Sequence, residues 1–195
     1  MKRYRVCVYA ICKNEAQFVD RWMDSMREAD LVVVTDTLST DNTVERLRAR
    51  GAVVHIAEVT PWRFDAARNL SLSHVPEDVD ICVCTDLDEY FDLGWRQKLE
   101  AAWRTYAPQH PGETVRIGKY LYNWSLKADG TPDVQFYADK MHTRKDFRWI
   151  CPVHEFVRYA GALPLETVYA EGVVLNHAPD PEKPRGSYLP LLELG

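Results

Sequence analysis

The 195-residue chain contains no stretch of about eighteen apolar residues, so no segment has the length of a membrane-spanning helix. It has no basic excess either. Against 29 Asp and Glu stand 24 Lys and Arg, a formal net charge of -5, which argues against general nucleic-acid binding. Internal repeats and low-complexity tracts are missing, which excludes a solenoid or a linker-like chain. An even set of cysteines is missing as well. Of the five, Cys7, Cys12, Cys82 and Cys84 fall inside apolar runs, where they read as small core residues in a reducing compartment. A cytoplasmic location is therefore expected. Cys82 and Cys84 share one strand face, which leaves a zinc site as the weaker alternative. "MKRYRVCVYAICKNEA" has the basic-then-apolar order of a secretion signal. Its apolar part is short and runs into Lys13-Asn14-Glu15 without a small-residue cleavage site, so a buried strand is the better reading.

What is present is enough apolar material, 46% of residues, for one domain with a real core. "YRVCVYAI" (4–11), "LVVVTD" (31–36), "AVVHI" (52–56) and "ICVCTD" (81–86) are continuous apolar runs rich in Val and Ile, as strands covered on both faces should be. Helix-like stretches separate and follow them at 16–29, 43–50, 62–74 and 94–106, the first with Phe18, Trp22 and Met26 on one face. Alternating strands and helices predict an α/β fold with a mostly parallel central sheet and helices on both faces, a Rossmann-like nucleotide-binding arrangement. Ligands of such sheets collect at the carboxyl ends of the strands. Lys13-Asn14-Glu15, "DTLSTDNT" (36–43) and "DLDE" (86–89) then all fall on that edge. Helix capping accounts for Asn14, Ser39 and Thr40, but not for Asp36, Asp86 and Asp88, which lie at strand ends.

Beyond residue 106 the pattern weakens. "APQHPGE" (107–113) reads as a Pro/Gly loop, dividing an α/β part (1–106) from an acceptor-side part (107–195) of the same domain. The second part is β-rich, with a hairpin or meander over 114–126 and 134–144 and further strand-like runs at 147–157 and 167–180. A Pro-rich tail that turns apolar follows, and it leaves little room for C-terminal helices.

Asp86 and Asp88 are one residue apart. On an extended backbone they would point the same way and could share a hard divalent cation such as Mg2+ or Mn2+. "AICKNEAQFVDRW", "DTLSTDNTVERL", "WRFDAARNLSL", "CTDLDEYF", "PVHEF" and "LNHAPD" occur in an order and spacing that resemble the inverting, family-2 type of glycosyltransferase with the GT-A fold. The resemblance covers roughly residues 4 to 180.

It implies a nucleotide-sugar donor, foremost a UDP-sugar, bound at the strand ends with Mn2+ or Mg2+. Asp36 would contact the base, Asp86 would lie near the ribose, and Asp88 would ligate the metal. Arg68 would sit near the diphosphate, with Asp65 orienting it. Glu155 would be the catalytic base that takes the acceptor proton. His177 would be a further metal ligand, with His154 as another candidate for ligand or base. Physical chemistry agrees, because breaking a sugar–phosphate bond builds charge on the departing diphosphate that a cation neutralises. Two departures stand out. Leu38 and Asn42 replace glycines common in the family, and a leucine resists φ > 0, so a differently shaped loop after the second strand is expected. The acceptor, of unspecified class, would meet residues 114–150, with Tyr120, Tyr122, Trp124, Phe136 and Trp149 as stacking surfaces or as core. Lys140, Arg144, Lys145 and Arg148 would form a basic stretch, either a phosphate-side lid or a solvated face. Two other functions compete. A nucleotidyltransferase would need a Gly-rich phosphate loop after the first strand, and "AICKNEA" has no glycine. A non-catalytic nucleotide-sugar or carbohydrate-binding module would tolerate loss of Asp88 or Glu155, and both are present.

Overall fold

The computed structural model describes residues 3–105 and 115–180. The expected loop at 107–113, His110 and the 181–195 tail lie outside them. The strands are β1 (Val6–Cys12), β2 (Leu31–Asp36), β3 (Val53–Ile56), β4 (Ile81–Cys84), β5 (Glu89–Phe91), β6 (Val115–Leu126), β7 (Pro132–His142), β8 (Phe147–Ile150), β9 (Phe156–Tyr159) and β10 (Leu165–His177). The helices are α1 (Val19–Met26), α2 (Thr43–Ala49), α3 (Phe64–Ser73) and α4 (Trp95–Thr105).

Among the described residues, eight strands form one sheet in the order β3-β2-β1-β4-β7-β6-β10-β5, and β8 and β9 form a separate hairpin. The β1–β2, β2–β3, β1–β4 and β6–β10 ladders are parallel. Those of β7 with β4 and β6, and of β5 with β10, are antiparallel. Strands from both halves of the chain thus join in one continuous sheet. The all-buried run of β1 sits between β2 and β4, as its lack of polar alternation requires.

Side chains alternate between two cores. Val6, Val8 and Ala10 of β1 face α1, α2 and α4, where Trp22, Met26, Leu47, Trp95, Leu99 and Trp103 are buried. Cys7, Tyr9 and Val33 face the opposite layer, which is built from Leu72 of α3 and from Phe147, Trp149 and Val157 of the β8–β9 hairpin. Cys82 and Cys84 belong to this second core, and all five cysteines are free thiols, four of them buried. The buried stripe of α1 is Val19, Trp22, Met23 and Met26, while Phe18 forms its N-cap. No helix among the described residues is long and apolar enough to cross a membrane.

One consequence of register matters for the site. β7 meets β4 only through Cys82↔His142 and Val83↔Met141, and it runs antiparallel. Its earlier residues therefore extend past the carboxyl end of β4. Pro132–Tyr137, exposed along their whole length, stand with the end of β6 as an arm above the strand-end edge.

Candidate active site at the strand-end edge

The loops after β1 and β2 are fastened to each other. Asn14 bonds both Ser39 and Thr40 across the gap: the Asn14 amide donates to Ser39 Oγ at 2.8 Å and the Thr40 amide to Asn14 Oδ1 at 2.7 Å. Thr43 Oγ1 receives the Glu15 amide at 2.8 Å, and Asp41 receives those of Ala16 and Thr43 at 3.2 and 3.0 Å. These polar residues cap each other's loops rather than helices, since neither Phe18 nor Asn42 makes a side-chain N-cap bond. Asp36 is 1% exposed and turned into its own loop. Its oxygens accept the Ser39 amide at 2.8 Å, the Cys12 thiol at 3.3 Å and the Ser39 hydroxyl. The expectation that Leu38 avoids positive φ is not met. Its φ is 67°, held there by the Asp36–Ser39 turn around it.

The D-x-D segment also departs from expectation. It is a turn between β4 and β5, closed by the Glu89 amide on the Asp86 carbonyl at 3.1 Å, and its two carboxylates have different partners. Asp86 is held by Arg68 Nη2 at 2.8 and 3.1 Å and by Lys140 Nζ at 3.5 Å. Glu89, 1% exposed, lies behind it. Its carboxylate accepts the Tyr122 hydroxyl at 2.6 Å, Lys140 Nζ at 3.1 Å and the Asp86 amide at 2.8 Å. Lys140 is thus neither lid nor solvated face; it turns inward over the Tyr122 ring. Arg144, from the same basic stretch, donates to the Val75 carbonyl instead. Burial alone would raise the Asp86 carboxyl, but Arg68 and Lys140 outweigh it and hold the group well below the usual carboxylate range. At Glu89 burial prevails, with Asp86 adding to it, and the pKa is raised despite Lys140. Burial would lower Lys140, but Glu89 and Asp86 hold its charged form well above the ordinary lysine value.

Asp88 points to the other side of the turn, where His177 Nε2 lies 3.3 Å from its Oδ2. His177 Nδ1 is 3.0 Å from the Trp124 carbonyl, an acceptor, so Nδ1 carries a proton and Nε2 presents its lone pair unless also protonated. A lone pair facing a carboxylate calls for a proton or a cation between them. Burial lowers the His177 pKa, but Asp88 and the Trp124 carbonyl raise it further, for a net upward shift. Asp88 and His177 therefore fit a divalent cation, an oxygen donor and an imidazole already oriented by a backbone carbonyl. Among the described residues no three His, Cys, Asp or Glu side chains group to enclose an ion, so other ligand atoms would complete the shell. His154 is exposed at φ 54° and does not join the pair.

Sequence reasoning missed Arg21. Its guanidinium packs against the rings of Phe18 and Tyr90 and donates to the Asp88 carbonyl at 3.2 Å and the Ala178 carbonyl at 3.0 Å. With the Ala178 amide on the Asp88 carbonyl at 2.9 Å, it ties the segment bearing Asp88 to the one bearing His177. Its place one helical turn after Phe18 on α1 was the only sequence signal.

The A-R-N segment of α3 serves two partners. Asn69 grips the β8 backbone in both directions, donating to the Trp149 carbonyl and accepting its amide, each at 2.8 Å. Arg68, one residue earlier, points to β4. Its Nε donates to Glu155 Oε1 at 2.5 Å, and Trp149 covers its guanidinium at 5.0 Å. The expectation that Asp65 orients Arg68 is not met, because the Asp65 carboxylate receives Arg63 Nε at 3.0 Å and Nη2 at 2.8 Å. Arg68 pairs instead with Asp86 and Glu155. Glu155 lies in the β8–β9 loop, which the Phe64 amide pins at the Pro152 carbonyl at 3.0 Å. Its side chain is 12% exposed. Arg68 thus joins Glu155 to Asp86. Of the expected stacking aromatics, Tyr120, Tyr122 and Trp149 are core, whereas Trp124 and Phe136 are 45% and 47% exposed on the arm.

A parallel α/β sheet with an acidic turn after a central strand, continued by a mixed sheet that rises over the same edge, is the GT-A class of nucleotide-sugar-binding fold. The chain belongs to glycosyltransferase family 2: the model of that family, described as "Glycosyl transferase family 2", matches residues 7–155. No significant match was found among curated proteins. Among solved structures, a mycobacterial protein is similar with a TM-score of 0.56 at 17% identity, over 92% of this chain and 69% of that one. Glucosyl-3-phosphoglycerate synthase from Mycobacterium tuberculosis, in complex with Mn2+, UDP and phosphoglyceric acid, is similar with a TM-score of 0.55 at 19% identity, over 91% and 72%. S. aureus TarS aligns over 64% of this chain at 19% identity with a TM-score of 0.49, and the chain spans only 23% of its length.

Proposed function

We propose that this protein transfers a sugar, with inversion, from a nucleoside-diphosphate sugar, foremost a UDP-sugar, to an acceptor hydroxyl, with a divalent cation held by Asp88 and His177. The observation that carries the reading is the division of labour along one edge. Asp86 is already neutralised by Arg68 and Lys140, while Asp88 and His177 face each other with a lone pair and a carboxylate. Family membership supports the reaction class, and the Mn2+ and UDP in the Mycobacterium tuberculosis enzyme support the cofactor and nucleotide.

When bound, Mn2+ or Mg2+ supplies positive charge to the diphosphate as it leaves. Glu155 takes the proton of the acceptor hydroxyl. The freed oxygen electron pair forms the bond to the anomeric carbon, and the electrons of the broken carbon–oxygen bond leave with the diphosphate. Arg68 holds Glu155 and keeps it beside Asp86, which in this reading faces the ribose. Asp36 shapes the loop that flanks the base, and Asp65 with Arg63 fixes the start of α3. Arg68 Nε donates to Glu155 Oε1 at 2.5 Å, and in this reading the second carboxylate oxygen takes the acceptor proton.

The test is release of nucleoside diphosphate from a panel of donors in the presence of Mn2+, by wild type and by Glu155→Gln. The reading expects one donor to be turned over by wild type. It expects Glu155→Gln to bind UDP as wild type does, while turnover falls by at least about a hundredfold, the usual scale of a lost general base. Full turnover in the variant would overturn the base assignment.

A further inference from the structure

Resting on that reading, we infer that Asp92, Asn176, Asn123 and Gln135 form a polarised side-chain ladder that positions His177 for the cation, with Asp92 setting its direction. Asn176 Nδ2 donates to Asp92 Oδ1 at 2.9 Å, Asn123 Nδ2 to Asn176 Oδ1 at 2.7 Å, and Gln135 Nε2 to Asn123 Oδ1 at 2.6 Å. The bonds cross the sheet from β7 through β6 and β10 to the residue after β5, so they tie the arm to the strand that leaves the D-x-D turn. Their direction is not free. An ionised carboxylate only accepts, so Asn176 has to turn its amide nitrogen to Asp92 and its oxygen to Asn123. Asn123 in turn has to donate to Asn176 and accept from Gln135. Asn123 and Asn176 are both buried, where a reversed amide would set oxygen against oxygen away from solvent.

The ladder sits where backbone pairing gives out. Asn176 and Asn123 are the last pair of the parallel β10–β6 ladder, and the β6–β7 register slips just beyond, between Asn123 and Ser125. Side-chain amides take over at that point. The next residues along the two strands are His177 and Trp124, whose side chains fall on the other face of the sheet. There the Trp124 carbonyl lies 3.0 Å from His177 Nδ1, and the indole stacks on the imidazole with ring centroids 4.8 Å apart. That carbonyl decides which ring nitrogen keeps its proton, and so leaves Nε2 toward Asp88 at 3.3 Å. Holding Asn123 to Asn176 holds the carbonyl to the ring. The four ladder residues are positioning residues, acting on the ion through His177.

Moving the carboxylate along the ladder tests this, with Mn2+ binding to the full chain read by electron paramagnetic resonance without nucleotide. In Asn123→Asp, whichever way Asn176 turns, its oxygen meets a carboxylate, at Asp92 or at position 123. In the double variant Asn123→Asp with Asp92→Asn, Asn176 can donate to position 123 and accept from position 92, while Gln135 still donates. Every rung is then restored and the net charge is that of wild type. Asn123→Asp is expected to raise the Mn2+ dissociation constant about tenfold, the lower end of what lost support behind a metal-ligating histidine costs. By charge alone the added carboxylate would tighten Mn2+, so weakening reads the broken ladder. The double variant should return to the wild-type value, and Asp92→Asn alone, whose oxygen still accepts, should stay near it. Wild-type affinity in Asn123→Asp overturns the inference, and so does a double variant that binds no better than Asn123→Asp, whether or not either folds. Side-chain hydrogen exchange in wild type, followed by NMR, is the second measurement. The Asn123 and Asn176 amides should exchange at least about tenfold more slowly than that of the exposed Asn42, and equal rates overturn the inference alone. Failure of wild type to bind Mn2+ overturns the underlying reading, and this inference with it.

Discussion

Lys140 shows how one side chain can be decisive without touching substrate. Its ammonium sits between Glu89, which is buried, and Asp86, whose side chain is 33% exposed, and with Arg68 it supplies the positive charge in that cluster. Replacing it with methionine would leave two carboxylates within a few ångströms of each other and only Arg68 to balance them. Removing one partner of a buried ion pair costs about 3–5 kcal/mol, so Lys140→Met should lower the stability measured by urea unfolding by an amount of that order. A companion Glu89→Gln substitution should recover part of the loss, because it removes the second buried charge and keeps an acceptor for the Tyr122 hydroxyl. A Lys140→Met protein as stable as wild type would show that the cluster is not ionised as described. In sequence, Lys140 read as one of four clustered cations. The period-two alternation of β7 was obscured by its exposed first half, and nothing local told an inward lysine from an outward one.

At the scale of elements, α1 carries more of the site than its core stripe suggests. Arg21 bonds two backbone carbonyls, one in the D-x-D turn and one just past β10, so it sets the separation of Asp88 and His177 without contacting any ligand. Arg21→Ala is expected to raise the Mn2+ dissociation constant several-fold, measured by electron paramagnetic resonance, while UDP alone binds as before. Arg21→Lys should recover little, because one ammonium does not span two carbonyls as a planar fork does. Most elements were legible in sequence. β1 and β4 are apolar throughout and β2 is apolar up to Thr35, as covered strands are, and the α1 and α4 stripes recur at helical spacing. What escaped was backbone conformation that depends on a neighbour. Leu38 takes φ 67° because Asp36 and Ser39 close a turn about it, and the D-x-D triplet bends because Glu89 turns back onto the Asp86 amide. A pattern of residue types records the carboxylates but not the direction each one faces.

For the whole molecule, the second core is crossed by a buried chain of hydrogen bonds. Trp149 Nε1 donates to Tyr9 Oη at 2.9 Å, and Tyr9 Oη lies 2.9 Å from His142 Nε2. The Thr143 carbonyl, 2.8 Å from His142 Nδ1, fixes the proton there, so Tyr9 donates to Nε2. This links β1, β7 and the hairpin that bears Glu155. Burial is the largest cause of a His142 pKa pushed down from 6.5 to about 4. The unfolded chain therefore binds a proton that the folded protein refuses between those values, and stability falls as pH drops through that window. The contribution is on the order of 3 kcal/mol. His142→Gln, which does not titrate, should lose less melting temperature between pH 7 and pH 5 than wild type does; an equal loss would contradict the assignment. A sequence shows that His142 ends an aromatic strand, but not that Tyr9, more than a hundred residues away, supplies its partner.

The central claim is that this edge binds a nucleoside diphosphate through a cation held by Asp88 and His177. Calorimetric titration of UDP into wild type and Asp88→Ala, each with and without Mn2+, tests it most directly. The account predicts that Mn2+ tightens UDP binding at least tenfold in wild type and has no effect on UDP affinity in Asp88→Ala. Equal UDP affinities with and without Mn2+ in wild type, or an undiminished Mn2+ effect in Asp88→Ala, would contradict it.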